Sequence, residues 1–293
     1  MPSSRDNSRG ILALVAGTAA FTVNDTVVKL VTRELPVGEV IFVRGLLTAT
    51  LLGLVVLALG YHRTLRQAFT PIVIGRALLD SASSVLFVLA LAHMRIADVS
   101  AVVLAVPLIL TAASVVLYRE FVGWRRWCAV IVGFVGVLFV VKPTPAGFDA
   151  WALVALASAF ASTGRDLVTR RIGAAVPSLT ITFIGACVVA MTGLLMMPGE
   201  TWRVPTGAEL GWLALAACFL GLATFFVTRA FRGVDISVVA PFRYTLMIWA
   251  LTAGYVVFGE LPDAFAATGP CSSWAAGSTC CTGRRCVGAR QWC

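Results

Sequence analysis

At 293 residues, 59% of them hydrophobic and 13% charged, with a mean hydropathy of +0.92, the chain falls outside the composition of a water-soluble domain and reads as an integral membrane protein. The formal charge of +9 does not point to nucleic acid, because Lys and Arg sit in short gaps between apolar runs rather than on one face or in one tail. The expected partners are therefore a lipid bilayer and a small solute, with no nucleic acid. A monomer is compatible with this reading.

Apolar windows long enough to cross a bilayer fall at 10–31, 37–59, 70–92, 96–117, 126–142, 149–168, 177–197, 208–229, 235–258 and, more weakly, 262–281. The first is too long for the core of a cleaved signal peptide, and Asn24, Asp25 and Lys29 interrupt it, so it is expected to remain as a helix. Short gaps carrying Pro36 with Gly38, Gly60, Pro71, Pro143 with Pro145, Pro177, Pro198 with Gly199, Pro205 with Gly207, Gly233 and Pro262 separate the windows, and these residues end helices. The fold class expected is an all-α membrane protein of ten transmembrane helices.

Orientation follows from the cations. Of 23 Lys and Arg, three (Arg44, Arg76, Arg243) lie within spans and five (Lys29, Arg33, Arg95, Lys142, Arg203) at one set of span ends. The rest gather at the opposite ends, Arg63, Arg66, Arg119, Arg125 and Arg126 among them. The bias places the N-terminus and C-terminus in the cytoplasm.

The ninth window, Asp235 to Glu260, carries a proline, an arginine and a tyrosine in its first third. A guanidinium at the bilayer centre costs from about 3 to more than 10 kcal/mol, so Arg243 is expected to face a polar cavity, with Tyr244 beside it and Pro241 loosening the backbone. By the same reasoning Asn24, Asp25, Lys29, Glu39, Arg44, Arg76, Asp80, Ser162 and Thr163 are expected to point inward. Two pairs, Asp25 with Lys29 and Arg76 with Asp80, have the i, i+4 spacing of a helix ion pair and so serve either the fold or a cargo. Arg165 with Asp166 reads as an interfacial pair. Among the aromatics, Trp249, Tyr255, Phe225 and Phe226 are the candidates for a cavity wall, and packing against lipid is the alternative for each. The candidate substrate-binding set is Asn24, Arg44, Arg76, Asp80, Thr163, Arg243, Tyr244 and Trp249.

The halves of the chain resemble each other. Ala13-Leu14-Val15-Ala16 recurs as Ala152-Leu153-Val154-Ala155, Asp98-Val99-Ser100 as Asp235-Ile236-Ser237, and Arg119-Glu120 as Gly259-Glu260, each near the same place in its half. Residues 1–143 and 144–281 are then two repeats of five spans. An odd number inverts the second repeat in the membrane, as in many secondary transporters.

This arrangement resembles the ten-helix drug/metabolite transporter superfamily, of the type with two EamA repeats. Ala240-Pro241-Phe242-Arg243-Tyr244-Thr245 followed by Phe258-Gly259-Glu260-Leu261-Pro262-Asp263 is similar to a pattern common in its bacterial members, and the likeness covers residues 10 to about 269. The resemblance implies a bacterial inner-membrane carrier with a central cavity. It also implies a cargo among small metabolites: relatives export amino acids, including aromatic ones, and a few take up nucleotide-like compounds such as S-adenosylmethionine. Alternating-access export of amphipathic amino acids is the leading expectation, with uptake of an S-adenosylmethionine-like solute as the alternative.

After Gly269 the chain departs from that pattern. Residues 270–293 read PCSSWAAGSTCCTGRRCVGARQWC, and a reading frame displaced by one base would restore apolar codons there, which points to a frameshift from about residue 270 and leaves 282–293 as a tail. Five of the eight cysteines lie in this segment without a Cys-x-x-Cys pair, and both histidines (His62, His93) are distant, so no metal site is expected. The chain also lacks His-Glu-x-x-His, Gly-x-Ser-x-Gly and a phosphate-cradling Gly-x4-Gly-Lys-Ser/Thr, so neither enzymatic activity nor a cofactor is expected.

Overall fold

A computed structural model describes residues 4–61, 65, 69–106, 109, 113, 150–172, 176–230, 242 and 245–260. Among them there are eight α-helices, a single 3-10 turn and no strand. The helices are α1 (Ser4–Val31), α2 (Val37–Ala58), α3 (Pro71–His93), α4 (Ile96–Val103), α5 (Ala150–Arg170), α6 (Ser178–Leu195), α7 (Gly207–Ala230) and α8 (Thr245–Phe258). Five stretches are long and apolar enough to cross a membrane: Gly10–Val31, Val37–Ala58, Pro71–His93, Leu179–Gly199 and Gly207–Val227. The windows expected at 126–142 and 262–281, and the altered tail, lie outside the described residues.

Helix ends follow local chemistry, with some corrections. Pro71 occupies the first turn of α3, where its missing N–H costs nothing. Of the window at 96–117, the described residues give the 8-residue helix α4; in the sequence Pro107 follows four residues after Val103 and has no N–H to offer its carbonyl. Helix α5 has 21 residues but carries Arg165, Asp166 and Arg170, which keeps it outside the five apolar stretches. Helix α1 begins at Ser4, ahead of its apolar window. Helix α2 lacks a side-chain cap of its own, and Glu200 supplies one from the far half of the chain, its carboxylate oxygens accepting from the Gly38 N–H at 2.9 and 3.1 Å.

The helices pack in a fixed pattern. The principal partners are α1 with α7 and α8, α2 with α6 and α7, α3 with α5 and α6, and α4 with α5 and α8. The largest core cluster gathers Val27, Val28 and Val31 of α1, Val40 and Ile41 of α2, Val88 and Leu91 of α3, and Val189 and Leu213 from α6 and α7. Leucines and aromatics such as Leu12, Leu54, Leu57, Leu78, Phe160, Leu195 and Phe225 stay exposed on the outside of the bundle. Lipid is the solvent for such a face, so the helices are held together by close van der Waals fit. The tightest approach is α2 against α6, where the Gly193 Cα faces the backbone of Gly38 and Phe42, and Gly45 faces Ala190.

Candidate functional site

The polar residues within these helices collect in three places. The first is between α1 and α2. Asn24 and Arg44 are buried, with 1% and 6% of their surface exposed. Arg44 Nη1 donates to Asn24 Oδ1 at 3.3 Å, and Asn24 Nδ2 donates to Asp25 Oδ1 at 2.8 Å. The Nε of Arg44 is buried without a hydrogen-bond partner among the described residues. Below them a ladder of buried threonines lines α1, Thr22 donating to the Thr18 carbonyl and Thr26 to the Thr22 carbonyl, and the Thr18 hydroxyl meets Thr245 of α8 at 3.0 Å. The site thus offers a guanidinium with a free donor from α2, and an amide, a carboxyl and hydroxyls from α1.

The second cluster joins α3 to α5. Asp80 accepts from Arg76 Nη1 at 3.1 Å with one oxygen and from Arg165 Nη1 at 3.0 Å with the other. Arg165 also pairs with Asp166 at 3.0 Å. The i, i+4 pair expected of Arg76 and Asp80 is present, and the pair expected at Arg165 and Asp166 extends into it. Gly185 of α6 makes room for them: a Cβ there would lie 2.8 Å from both Arg76 Nη1 and Asp80 Oδ2. One turn along, Ser83 meets Ser162 at 2.5 Å and Ser81 donates to Thr192 at 2.6 Å. Thr163 turns its hydroxyl back to the Ala159 carbonyl of its own helix at 2.9 Å and joins neither cluster.

The third cluster corrects the sequence reading. Lys29 does not pair with Asp25, whose carboxylate is held by the Asn24 amide. It reaches instead to Glu260, just beyond α8, with Nζ 2.6 Å from Oε1. The aromatic ring of Phe258 lies beneath Lys29 Nζ, 4.6 Å from the ring centre, and Arg33 approaches the same ring at 5.0 Å. Glu260 was visible in the sequence only as the residue closing a span, since a contact between positions so far apart leaves no local periodicity to read. Glu39, 1% exposed, lies at this end of α2 and accepts from the Arg203 N–H at 3.3 Å.

Two expectations fall elsewhere. Arg243 and Tyr244 lie outside the described residues. Trp249 does not line an interior wall: α8 buries Met247, Ala250 and Gly254, a helical arc that leaves Ile248, Trp249, Tyr255 and Val256 on the outward side, with Trp249 at 36% exposure. Phe225 likewise faces outward.

Charges buried in a bundle of apolar helices mark polar sites in its interior, and comparison with known proteins shows what the chain is similar to. Residues 8–142 match the EamA-like transporter family. The S-adenosylmethionine uptake transporter of Rickettsia felis is 28% identical over 257 residues, 86% of this chain and 84% of that protein. The pseudopaline exporter CntI of Pseudomonas aeruginosa PAO1 is 25% identical over 261 residues, 89% of this chain and 91% of its own. A riboflavin transporter of Vibrio cholerae is 28% identical over 165 residues, 55% of this chain and 54% of its own. A solved crystal structure superposes with a TM-score of 0.65 at 19% identity, covering 92% of this chain and 96% of that one, which is a likeness of fold.

Proposed function

We propose that the protein is a secondary carrier of ten membrane helices in two inverted halves, set in a bacterial inner membrane with both termini cytoplasmic. The observation that carries this reading is the packing pattern. If the first half is exchanged with the second, α1 with α5, α2 with α6, α3 with α7 and α4 with α8, the pair α1–α7 becomes α5–α3, α2–α7 becomes α6–α3, and α1–α8 becomes α5–α4. The pairs α2–α6 and α4–α8 map onto themselves. Each of these packings is present. Such two-fold equivalence lets the halves trade conformations, which supports alternating access around a site between them.

The cargo is a small amphipathic metabolite bearing a carboxylate. Arg44 supports this, because a buried guanidinium with an unpartnered Nε keeps a donor in place for a planar anion. Asn24, Arg76, Asp80, Arg243 and Tyr244 complete the candidate set. Two transport directions have support: uptake of an S-adenosylmethionine-like solute, from the Rickettsia relatives, and export, here of an amino acid, with the pseudopaline exporter CntI as a precedent for the direction alone. Purified protein in liposomes is expected to accumulate labelled S-adenosylmethionine or an aromatic amino acid, counter-loaded, without altering it chemically. Arg44→Leu removes charge-assisted hydrogen bonds worth about 1.5–3 kcal/mol, so apparent affinity should fall ten- to a hundredfold, and because the buried Asn24 Oδ1 loses its donor the melting temperature should fall as well. Full transport by that variant excludes Arg44 as a cargo ligand, and chemical turnover of the solute would replace the carrier reading with an enzyme.

A further inference from the structure

The geometry points to Lys29 and Glu260 as the gate that closes the α1/α8 end of the pathway, an inference that rests on the carrier reading. The two residues come from opposite halves, and their ion pair is the charged bridge between α1 and α8. The chain is shaped to deliver it. Gly259 takes a left-handed φ of 65°, which turns the backbone over the end of α8, and the Glu260 N–H then donates to the Gly254 carbonyl at 2.9 Å. The carboxylate is thereby held over α1 independently of its partner.

The pair is built to break. Glu260 Oε1 is satisfied by Lys29, but Oε2 is buried with no partner among the described residues. A half-satisfied carboxylate is costly when closed and gains water when the end opens, so hydration of Oε2 offsets loss of the ion pair. The Phe258 ring offers Lys29 a second resting place that needs no carboxylate. At the opposite end the fastening is of another kind. Asp80 has both oxygens occupied, by Arg76 and Arg165, and the Ser83–Ser162 bond reinforces the same α3–α5 seam. Where α1 meets α8 the halves are thus joined by one half-satisfied ion pair, and across α3–α5 by a multiply bonded seam; α2 is held separately, by Glu200 on its Gly38 N–H and by the Arg203 N–H on Glu39, so the α1/α8 contact is the one that opens first.

The test uses two buried probe sites, Thr22→Cys on α1, two turns below Lys29, and Thr163→Cys on α5, toward the other end. The full-length protein in lipid nanodiscs is treated with a membrane-impermeant maleimide, and labelling of each site is followed by mass spectrometry of its peptide. Adding Glu260→Gln, or Lys29→Met should that variant fold poorly, is expected to speed labelling at Thr22→Cys by roughly tenfold or more. Labelling at Thr163→Cys should stay level or slow. The exchanged pair, Lys29→Glu with Glu260→Lys, should return Thr22→Cys to the slow rate. Equal acceleration at both probes means a structural staple whose loss loosens the whole bundle, and no change at Thr22→Cys in either neutral variant means no gate; each overturns the inference. No cargo is needed, so failure here is separable from failure to find a transported solute.

Discussion

Replacing Gly193 by alanine is the sharpest test of how α2 and α6 are held. A Cβ at this position would sit 2.5 Å from the Phe42 nitrogen and 2.9 Å from both the Gly38 oxygen and the Phe42 Cα. All three are backbone atoms of α2, so no side chain can swing aside. Bringing the closest of these to ordinary contact needs the two helices to part by about 1 Å, a gap that forfeits a quarter to a half of the dispersion energy along the seam. The cost expected of such overpacking is about 2–3 kcal/mol, because Gly45 against Ala190 and the Glu200 cap on Gly38 are disturbed together. Gly75→Ala is the matched control. It lies within α3 with nothing within 4 Å of its Cβ position, and should stabilise by about 0.5–1 kcal/mol through helix propensity alone. Thermal unfolding of the purified variants in one detergent reads both. If Gly193→Ala melts with the parent, or the two alanines shift together, the α2–α6 contact is not set by backbone approach.

Asp80→Asn leaves Arg76 and Arg165 sharing one neutral amide, and should cost about 3–5 kcal/mol, as for a buried pair broken on one side. Arg165→Met should cost less, since Arg76 remains on Asp80, and joint replacement of Arg76, Asp80, Arg165 and Asp166 by apolar residues of similar volume should recover most of the loss; chemical denaturation orders the three. Reporter fusions after Arg66 should read as cytoplasmic and after Arg203 as external, and the reverse pattern would overturn the proposed orientation.

Which candidate residues meet was legible in the sequence in part, for reasons that differ residue by residue. Asn24 and Arg44 stand out because a polar side chain within an apolar window has few places to go but inward, and the helices do bring them together at 3.3 Å. Arg76 and Asp80 were readable as a pair because one helical turn separates them. Trp249 was ambiguous in the sequence because an aromatic side chain is at home both on a cavity wall and against lipid. Only the arc of small residues on α8, Ala250 and Gly254 with Met247, decides which side of that helix is inside.

By itself the sequence determined the membrane class and the places where most described helices begin and end, since hydropathy, proline and glycine act over a few residues and need no partner. Tertiary structure decided which charges meet across helices. Lys29 had Asp25 one turn away and took Glu260, 231 residues distant, because packing α1 against α8 brings that carboxylate within reach while the Asn24 amide occupies the nearer one. Arg165 likewise gained Asp80 across the α3–α5 seam. Ion pairing in a low-dielectric interior is settled by distance in space, and a one-dimensional pattern does not encode that distance.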